Sequence, residues 1–240
     1  MSTTARLLGV RPLPNSPWTT RFALVADRLV AAHGVPRLGN FRDPVKEIFY
    51  ILLSAKTTDA QYRKTHRRLW TKYPDLAELA RARIRDIRQC IESGGLAAKR
   101  ALHVRLTARL LLEKGGANPA KYLKSLDEAE AFAFLSALPG IGPKSALCVM
   151  MYSLDFDAFA VDVNVQRIAA RMGAIPAGLT HPQAQRRLAR TVPIGRSREL
   201  HVSMVVHGRT ICLPRAPQCG LCPLADECRT GRREMKRHGE

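Results

Sequence analysis

Apolar residues recur along this chain at three- and four-residue spacing and almost nowhere alternate with polar ones. After Asp43-Pro44 they stand at Val45, Ile48, Phe49, Leu52 and Leu53. That is one face of a helix, with proline at a first-turn position where an N–H is spare. Residues 100–114 carry Leu102, Leu106, Leu110 and Leu111 and stop at Gly115-Gly116. Residues 196–207 carry Leu200, Met204 and Val205 and stop at Gly208. A run from Pro143 through Leu147, Val149, Met150 and Met151 reads as a buried helix. Ser125-Leu-Asp-Glu128 and Thr180-His-Pro-Gln183 have the form of capping boxes, in which N-cap and N3 side chains satisfy each other's backbone donors. Strand-like alternation and Asn-Gly hairpins are absent. The chain reads as all-α, with no internal repeat, and its polar, basic end (229–240) reads as a fraying tail.

Charge narrows the class. Lysine and arginine number 39 against 20 acidic residues, a formal net charge of +19, with a pI near 10.5. Such an excess costs self-repulsion and makes sense as attraction to a polyanion. An anionic membrane is the competing target, but no basic amphipathic helix with an aromatic face and no lipidation motif stands out. Nucleic acid is therefore the expected partner. The opening MSTTARLLGVRPLPNSPW is broken by Arg11, Pro12 and Pro14 and has no signal-peptide core. No apolar run approaches membrane-spanning length. The expectation is a cytoplasmic, nucleoid-associated protein.

A reducing compartment changes the meaning of the cysteines. Four of six, Cys212, Cys219, Cys222 and Cys228, fall within seventeen residues as C-x6-C-x2-C-x5-C. Reduced and clustered, they read as metal ligands rather than disulfides. Only one short knuckle of the zinc-finger kind is present, Cys219 to Cys222. The uneven spacing suits a [4Fe–4S] cluster, whose irons each take one thiolate, and zinc remains the alternative. Cys90 and Cys148 lie far away in apolar surroundings and read as small buried hydrophobes.

The turn Leu138-Pro139-Gly140-Ile141-Gly142-Pro143-Lys144-Ser145 joins two apolar helices. Its two glycines allow backbone dihedrals that a side chain would forbid, and they clear the way for a phosphate oxygen. The N–H groups it would meet lie at a helix N-terminus, where the macrodipole favours an anion. Such a grip on a nucleic-acid backbone does not read sequence.

With these residues in view, the chain resembles the endonuclease III family of DNA base-excision glycosylases. Residues 138–146 are similar to its helix–hairpin–helix, and Leu52-Leu53-Ser54-Ala55-Lys56-Thr57-Thr58-Asp59 to its Leu-Leu-Ser-x-Gln-x-x-Asp segment. In that family an aspartate follows the hairpin lysine by eighteen residues, within Val-Asp-x-x-x-x-Arg; here Asp162 stands at that distance from Lys144, within Val161–Arg167. The family's cysteine spacing is the one found here. The resemblance covers about residues 37–230 and implies a [4Fe–4S] cluster held by Cys212, Cys219, Cys222 and Cys228. It further implies a six-helix barrel over 37–156 carrying the hairpin, and a discontinuous helical cluster domain of 1–36 and 157–240. Double-stranded DNA with damaged bases or abasic sites would lie in the cleft between, bound by a monomer.

The implied catalytic pair makes chemical sense. Breaking an N-glycosidic bond develops positive charge on the sugar, which the Asp162 carboxylate can stabilise. The Lys144 amine can attack the sugar, form an imine and support strand nicking by β-elimination. Lysine must be neutral to attack, a state favoured by burial or by the positive end of its helix. Asp162 could equally N-cap the helix that follows. Carried over residue by residue, Leu96 is the wedge entering the duplex and Lys56 fills the place of the flipped base. Gly140 and Gly142 grip the backbone, and Arg215 is the one basic residue of the first cysteine loop.

The chain departs from the family's pattern in several places. Lys56 stands for a glutamine and can only donate. Ala97 stands where an aromatic is common, and Val163-Asn164 replaces Thr-His after the aspartate. Extra chain lies near 117–131. The expected activity is a bifunctional glycosylase and abasic-site lyase for oxidised pyrimidines. The alternatives are a glycosylase for alkylated or mismatched bases, or a DNA-binding relative with little turnover.

Overall fold

A computed structural model describes residues 16–34, 38–92 and 97–238; Leu96 lies outside them. The described residues form α-helices and two single-turn 3-10 helices, with no strand, as the three-to-four-residue periodicity requires. Among them no helix is long and apolar enough to cross a membrane. The chain divides into two compact units, residues 40–155 and residues 1–39 with 156–240.

The 40–155 unit is built on α2 (Pro44–Ser54), which is buried on nearly every side from Pro44 to Leu53. Asp43 caps it, its carboxylate accepting from Val45 and Lys46 N–H. Buried Glu47 accepts from Phe41 N–H (2.7 Å) and Asn40 Nδ2, which ties the entering chain to the helix. Around α2 pack α3 (Asp59–Lys72), α6 (Ala97–Gly115), α7 (Pro119–Ser125) and α9 (Pro143–Ser153). Two short helices, α4 (Leu76–Arg81) and α5 (Ile84–Ile91), lean on α6, and α8 (Glu128–Ala137) leans on α9. Ile48, Phe49, Leu53, Leu69, Leu79, Ile87 and Leu111 are fully buried here, and Cys90 and Cys148 are buried too.

Two sequence expectations need correction in this unit. The buried face of α6 is Arg100, Ala101, Val104, Thr107, Ala108 and Leu111, while Leu102 is 38% exposed. The leucine stripe misled because Arg100 and Thr107 find backbone acceptors at Ala55 and Pro139 and take core positions. Ser125 caps nothing: it ends α7 and donates to the Tyr122 carbonyl (2.8 Å). The capping box two residues on is Asp127 with Glu130, each accepting from the other's backbone N–H at 2.9 Å.

In the second unit α1 (Pro17–His33) packs on α12 (Ser197–Thr210), and α12 packs on α10 (Val163–Met172). Phe22, Leu29, Phe159, Val165, Ile168, Leu188, Leu200 and Met204 form their common core. In α11 (His181–Leu188) Gln183 Oε1 accepts from Thr180 N–H at 2.9 Å, as the expected box requires. Helix α12 does not stop at Gly208 but continues to Thr210. A Cβ on Gly208 would lie 2.7 Å from Asn164 Cβ and 3.0 Å from Arg167 Nη2, so this glycine serves a close approach of α10. The basic tail is a helix, α13 (Arg229–His238), rather than a frayed end. Gly231 is tucked so closely that a Cβ would lie 2.6 Å from the Ala225 carbonyl oxygen.

Candidate functional site

The hairpin of the 40–155 unit follows α8 directly. Leu138 closes that helix by donating to the Leu135 carbonyl, and Ile141 N–H returns to the Leu138 carbonyl at 3.0 Å. Gly140 has φ +83°, and a Cβ there would stand 2.5 Å from His103 Nδ1. Both the left-handed backbone and the imidazole of α6 require glycine. Gly142 differs from expectation: at φ −96° it N-caps α9 in an ordinary conformation, and open space lies where its side chain would be. What glycine provides at 142 is access to the first turn of α9, whose N–H groups have no intrahelical acceptor. Lys144 sits in that turn and is exposed.

Lys56 is exposed on the turn after α2, in the left-handed region at φ +54°. The turn is held from beneath by Arg100, 5% exposed, whose Nη2 donates to the Ala55 carbonyl. Burial holds the Arg100 pKa below the ordinary guanidinium value.

In the second unit, the chain leading to Asp162 has no regular secondary structure and is held by side chains. Ala158, Phe159, Ala160 and Val161 are buried, so their backbone groups need partners. Gln185 supplies two, accepting from Val161 N–H at 2.8 Å and donating to the Phe159 carbonyl at 2.7 Å. His201 Nδ1 meets the Ala160 carbonyl at 2.7 Å. Asp162 then caps α10, its Oδ1 accepting from Asn164 and Val165 N–H at 2.8 Å each. The other oxygen accepts from Asn164 Nδ2 at 2.9 Å. Asn164 Oδ1 takes Arg167 Nη2 (2.9 Å), and Arg167 also donates to the Gly208 and Cys212 carbonyls at 2.7 and 3.0 Å. The carboxylate is thus tied through two side chains to the backbone of the first clustered cysteine.

None of the four clustered cysteines is in a disulfide. Cys219 opens one 3-10 turn (Cys219–Leu221), Cys222 follows it, and Cys228 follows the second (Ala225–Glu227). Burial, opposed by the Leu224 N–H and helped by Cys212, Cys228 and Cys219, pushes the Cys222 thiol up to about 11. Cys219 is raised by burial and by Cys228 and Cys212. The four side chains therefore stand within each other's field. Among the described residues no three His, Cys, Asp or Glu side chains are drawn tightly enough to hold a single ion; the arrangement is a looser gathering of four thiols. Donors are already aimed at it: Arg171 Nη1 lies 3.2 Å from Cys212 Sγ, and Leu224 N–H 3.4 Å from Cys222 Sγ. Arg171 also donates to the Leu213 and Pro214 carbonyls, and its own carbonyl accepts from Cys228 Sγ and Thr230 Oγ1. A soft, four-thiol set lined with N–H donors suits an iron–sulfur cluster, whose positive irons would hold the ligating thiols deprotonated. Arg215 is exposed on the loop between Cys212 and Cys219.

Two histidines join the cysteines. His207, 1% exposed, lies 3.4 Å from Cys222 Sγ through Nε2. Its Nδ1 lies 3.1 Å from His33 Nε2. Burial, and then His33, push His207 down to about 4. The sequence contains no signal for either, nor for Asn164 and Arg171 as partners, because each contact spans distant segments or a register invisible before the helices are placed.

Comparison with known proteins identifies the arrangement. The HhH-GPD superfamily of base excision DNA repair proteins matches residues 49–193. The iron–sulfur binding domain of endonuclease III matches residues 212–228, and a [4Fe–4S] cluster is the cofactor of this chain. Endonuclease III of Thermotoga maritima is 32% identical over 202 residues, covering 84% of this chain and 90% of that protein. Endonuclease III of Escherichia coli K12 is 29% identical over 189 residues, 79% of this chain and 85% of that one. Among solved structures, a non-covalent endonuclease III–DNA complex superposes with a TM-score of 0.78 at 26% identity, covering 91% of this chain and 98% of that one. A trapped covalent endonuclease III–DNA intermediate gives 0.77 at 26%, covering 90% and 98%. With its hairpin, its capping aspartate and its cysteine loop all falling inside these matches, the chain belongs to the endonuclease III family of HhH-GPD base excision DNA repair glycosylases.

Proposed function

We propose that this chain is a bifunctional glycosylase that removes oxidised pyrimidines from double-stranded DNA and then nicks the abasic site by β-elimination, acting as a monomer. Lys144 Nζ attacks the sugar carbon bearing the damaged base, and the base leaves with the glycosidic electrons. The resulting amine adduct opens to an imine, from which a proton is lost and the 3′ phosphate eliminated. Asp162 stabilises the cationic character of the sugar while the base departs. Gly140, Gly142 and the N-terminus of α9 hold a backbone phosphate. Leu96 wedges between bases and Lys56 fills the space the flipped nucleotide leaves, and Arg215 adds a backbone contact from the cysteine loop. Cys212, Cys219, Cys222 and Cys228 hold the cluster.

The observation that carries the reading is exposed Lys144 in the first turn of α9, two residues after an unobstructed Gly142. A second reading, a glycosylase for alkylated or mismatched bases, is favoured by one feature. Val163, beside Asp162, is 59% exposed and presents an apolar surface where a hydroxyl stands in the family's pattern. A panel of duplexes carrying single lesions separates the two. Fastest excision of an oxidised pyrimidine is expected; faster release of an alkylated or mismatched base would replace the first reading with the second.

A further inference from the structure

His33 ends α1 and His207 lies in α12, the two helices that pack together in their unit. Their rings stand 5.4 Å apart, centroid to centroid, joined by the 3.1 Å contact between His33 Nε2 and His207 Nδ1. His207 Nε2 then faces Cys222 Sγ at 3.4 Å. Three groups in a row share these two contacts, and a neutral imidazole carries one proton. If His207 donated to His33, its Nε2 would turn a lone pair toward a metal-bound thiolate, and two electron-rich atoms would face each other. If His33 donates, the His207 proton is forced onto Nε2 and points at sulfur. Only the second order satisfies both contacts, so the outer ring fixes the tautomer of the inner one, as partners of ligating groups do at other metal sites.

We propose that His33 and His207 form a two-imidazole relay that delivers an N–H···S hydrogen bond to Cys222 and thereby raises the reduction potential of the cluster. The proposal rests on Cys222 being a cluster ligand. Reduction adds negative charge that is shared with the ligating sulfurs, and a donor at sulfur stabilises the reduced state more than the oxidised one. His207 is a positioning residue for the cofactor, and His33 acts through it. Cys222 Sγ has one other N–H within reach, that of Leu224 at 3.4 Å, so the relay supplies half of the hydrogen bonding this sulfur receives among the described residues.

Voltammetry of the purified holoprotein tests the relay with three variants. His33→Phe keeps an aromatic ring but cannot donate; His33→Gln places an amide N–H where Nε2 stands; His207→Phe removes the contact to sulfur. The expected result is a more negative potential for His33→Phe and His207→Phe, and a parental potential for His33→Gln. A merely structural role for His33 would not be rescued by glutamine in this way. An unmoved potential in His33→Phe, or an equal shift in His33→Phe and His33→Gln, overturns the relay, and the His33 pair decides the matter even where His207→Phe fails to fold. Iron content of Cys222→Ala tests the underlying reading separately. Full iron in that variant overturns the ligand assignment, whereas lost iron with an unmoved His33→Phe potential overturns the relay alone.

Discussion

Asp162→Asn separates the observed cap from the proposed chemical role of this carboxylate. Oδ1 caps α10 through two N–H groups at 2.8 Å, and asparagine caps about as well as aspartate. The variant therefore keeps the cap but loses the negative charge at the helix N-terminus, a loss of about 0.3–1 kcal/mol. Its new amide would also face Asn164 Nδ2, which now donates to Oδ2 at 2.9 Å; one hydrogen bond is lost, costing about 1 kcal/mol. The total destabilisation is about 1–2 kcal/mol, a few degrees in Tm for a chain of this size. The chemical loss is larger. Removing a preorganised group that stabilises charge in the transition state costs about 2.7–4 kcal/mol, or roughly a hundred- to a thousandfold in rate. Single-turnover excision on the preferred lesion, read beside a thermal melt, measures both. The expected variant is folded, loaded with cluster and slow. Parental excision by Asp162→Asn would reduce Asp162 to a cap. A melt lowered as far as in Asp162→Ala, which loses the cap as well, would refute the hydrogen-bond accounting.

Other variants probe the grip and the cofactor. Gly140→Ala forces a side chain into the left-handed region and onto His103, so it should destabilise the fold by about 1–2 kcal/mol from the backbone alone, read by urea denaturation. Gly142→Ala meets nothing and should melt like the parent yet bind undamaged duplex more weakly, because its methyl would stand between the first turn of α9 and the phosphate proposed to bind there; unchanged binding would remove the hairpin from the interface. Log affinity for undamaged duplex should fall linearly and steeply with log salt, and a flat dependence would assign the net charge of +19 to another partner. Cys222→Ala should yield poorly soluble, iron-poor protein, since the segment from Cys212 to Cys228 has little apolar content to order it without the cluster, while Cys90→Ala should keep full iron. Equal damage from both would mean that the ligands are misassigned.

What the sequence made legible was local. The Asp43-Pro44 start, the helix from Pro143 and the Asp162 cap each depend on residues within four positions of one another, so spacing alone reveals them. The hairpin was legible for the same reason, and the cysteine set because four thiols fall within one seventeen-residue segment. Long-range contacts were not. Arg100 belongs to the buried face of α6 only because the Ala55 carbonyl waits for it, and Leu102 is left exposed in consequence. Gly208 looks like a helix stop, yet it is the gap into which Asn164 and Arg167 fit. The polar composition of α13 suggests fraying because its anchor is a glycine against a carbonyl, a contact with no hydrophobic signature. Likewise His33 and His207 stand 174 residues apart, and no periodicity connects them.

Borohydride trapping on abasic duplex decides whether Lys144 is the nucleophile, since only an imine-forming amine is captured. The parental protein should give a covalent complex and nicked strand, and Lys144→Ala should give neither. Lys56→Ala, which removes the side chain proposed to fill the vacated space, should bind lesions more weakly and still be trapped. Trapping and nicking by Lys144→Ala at the parental rate would contradict the account and move the nucleophile elsewhere.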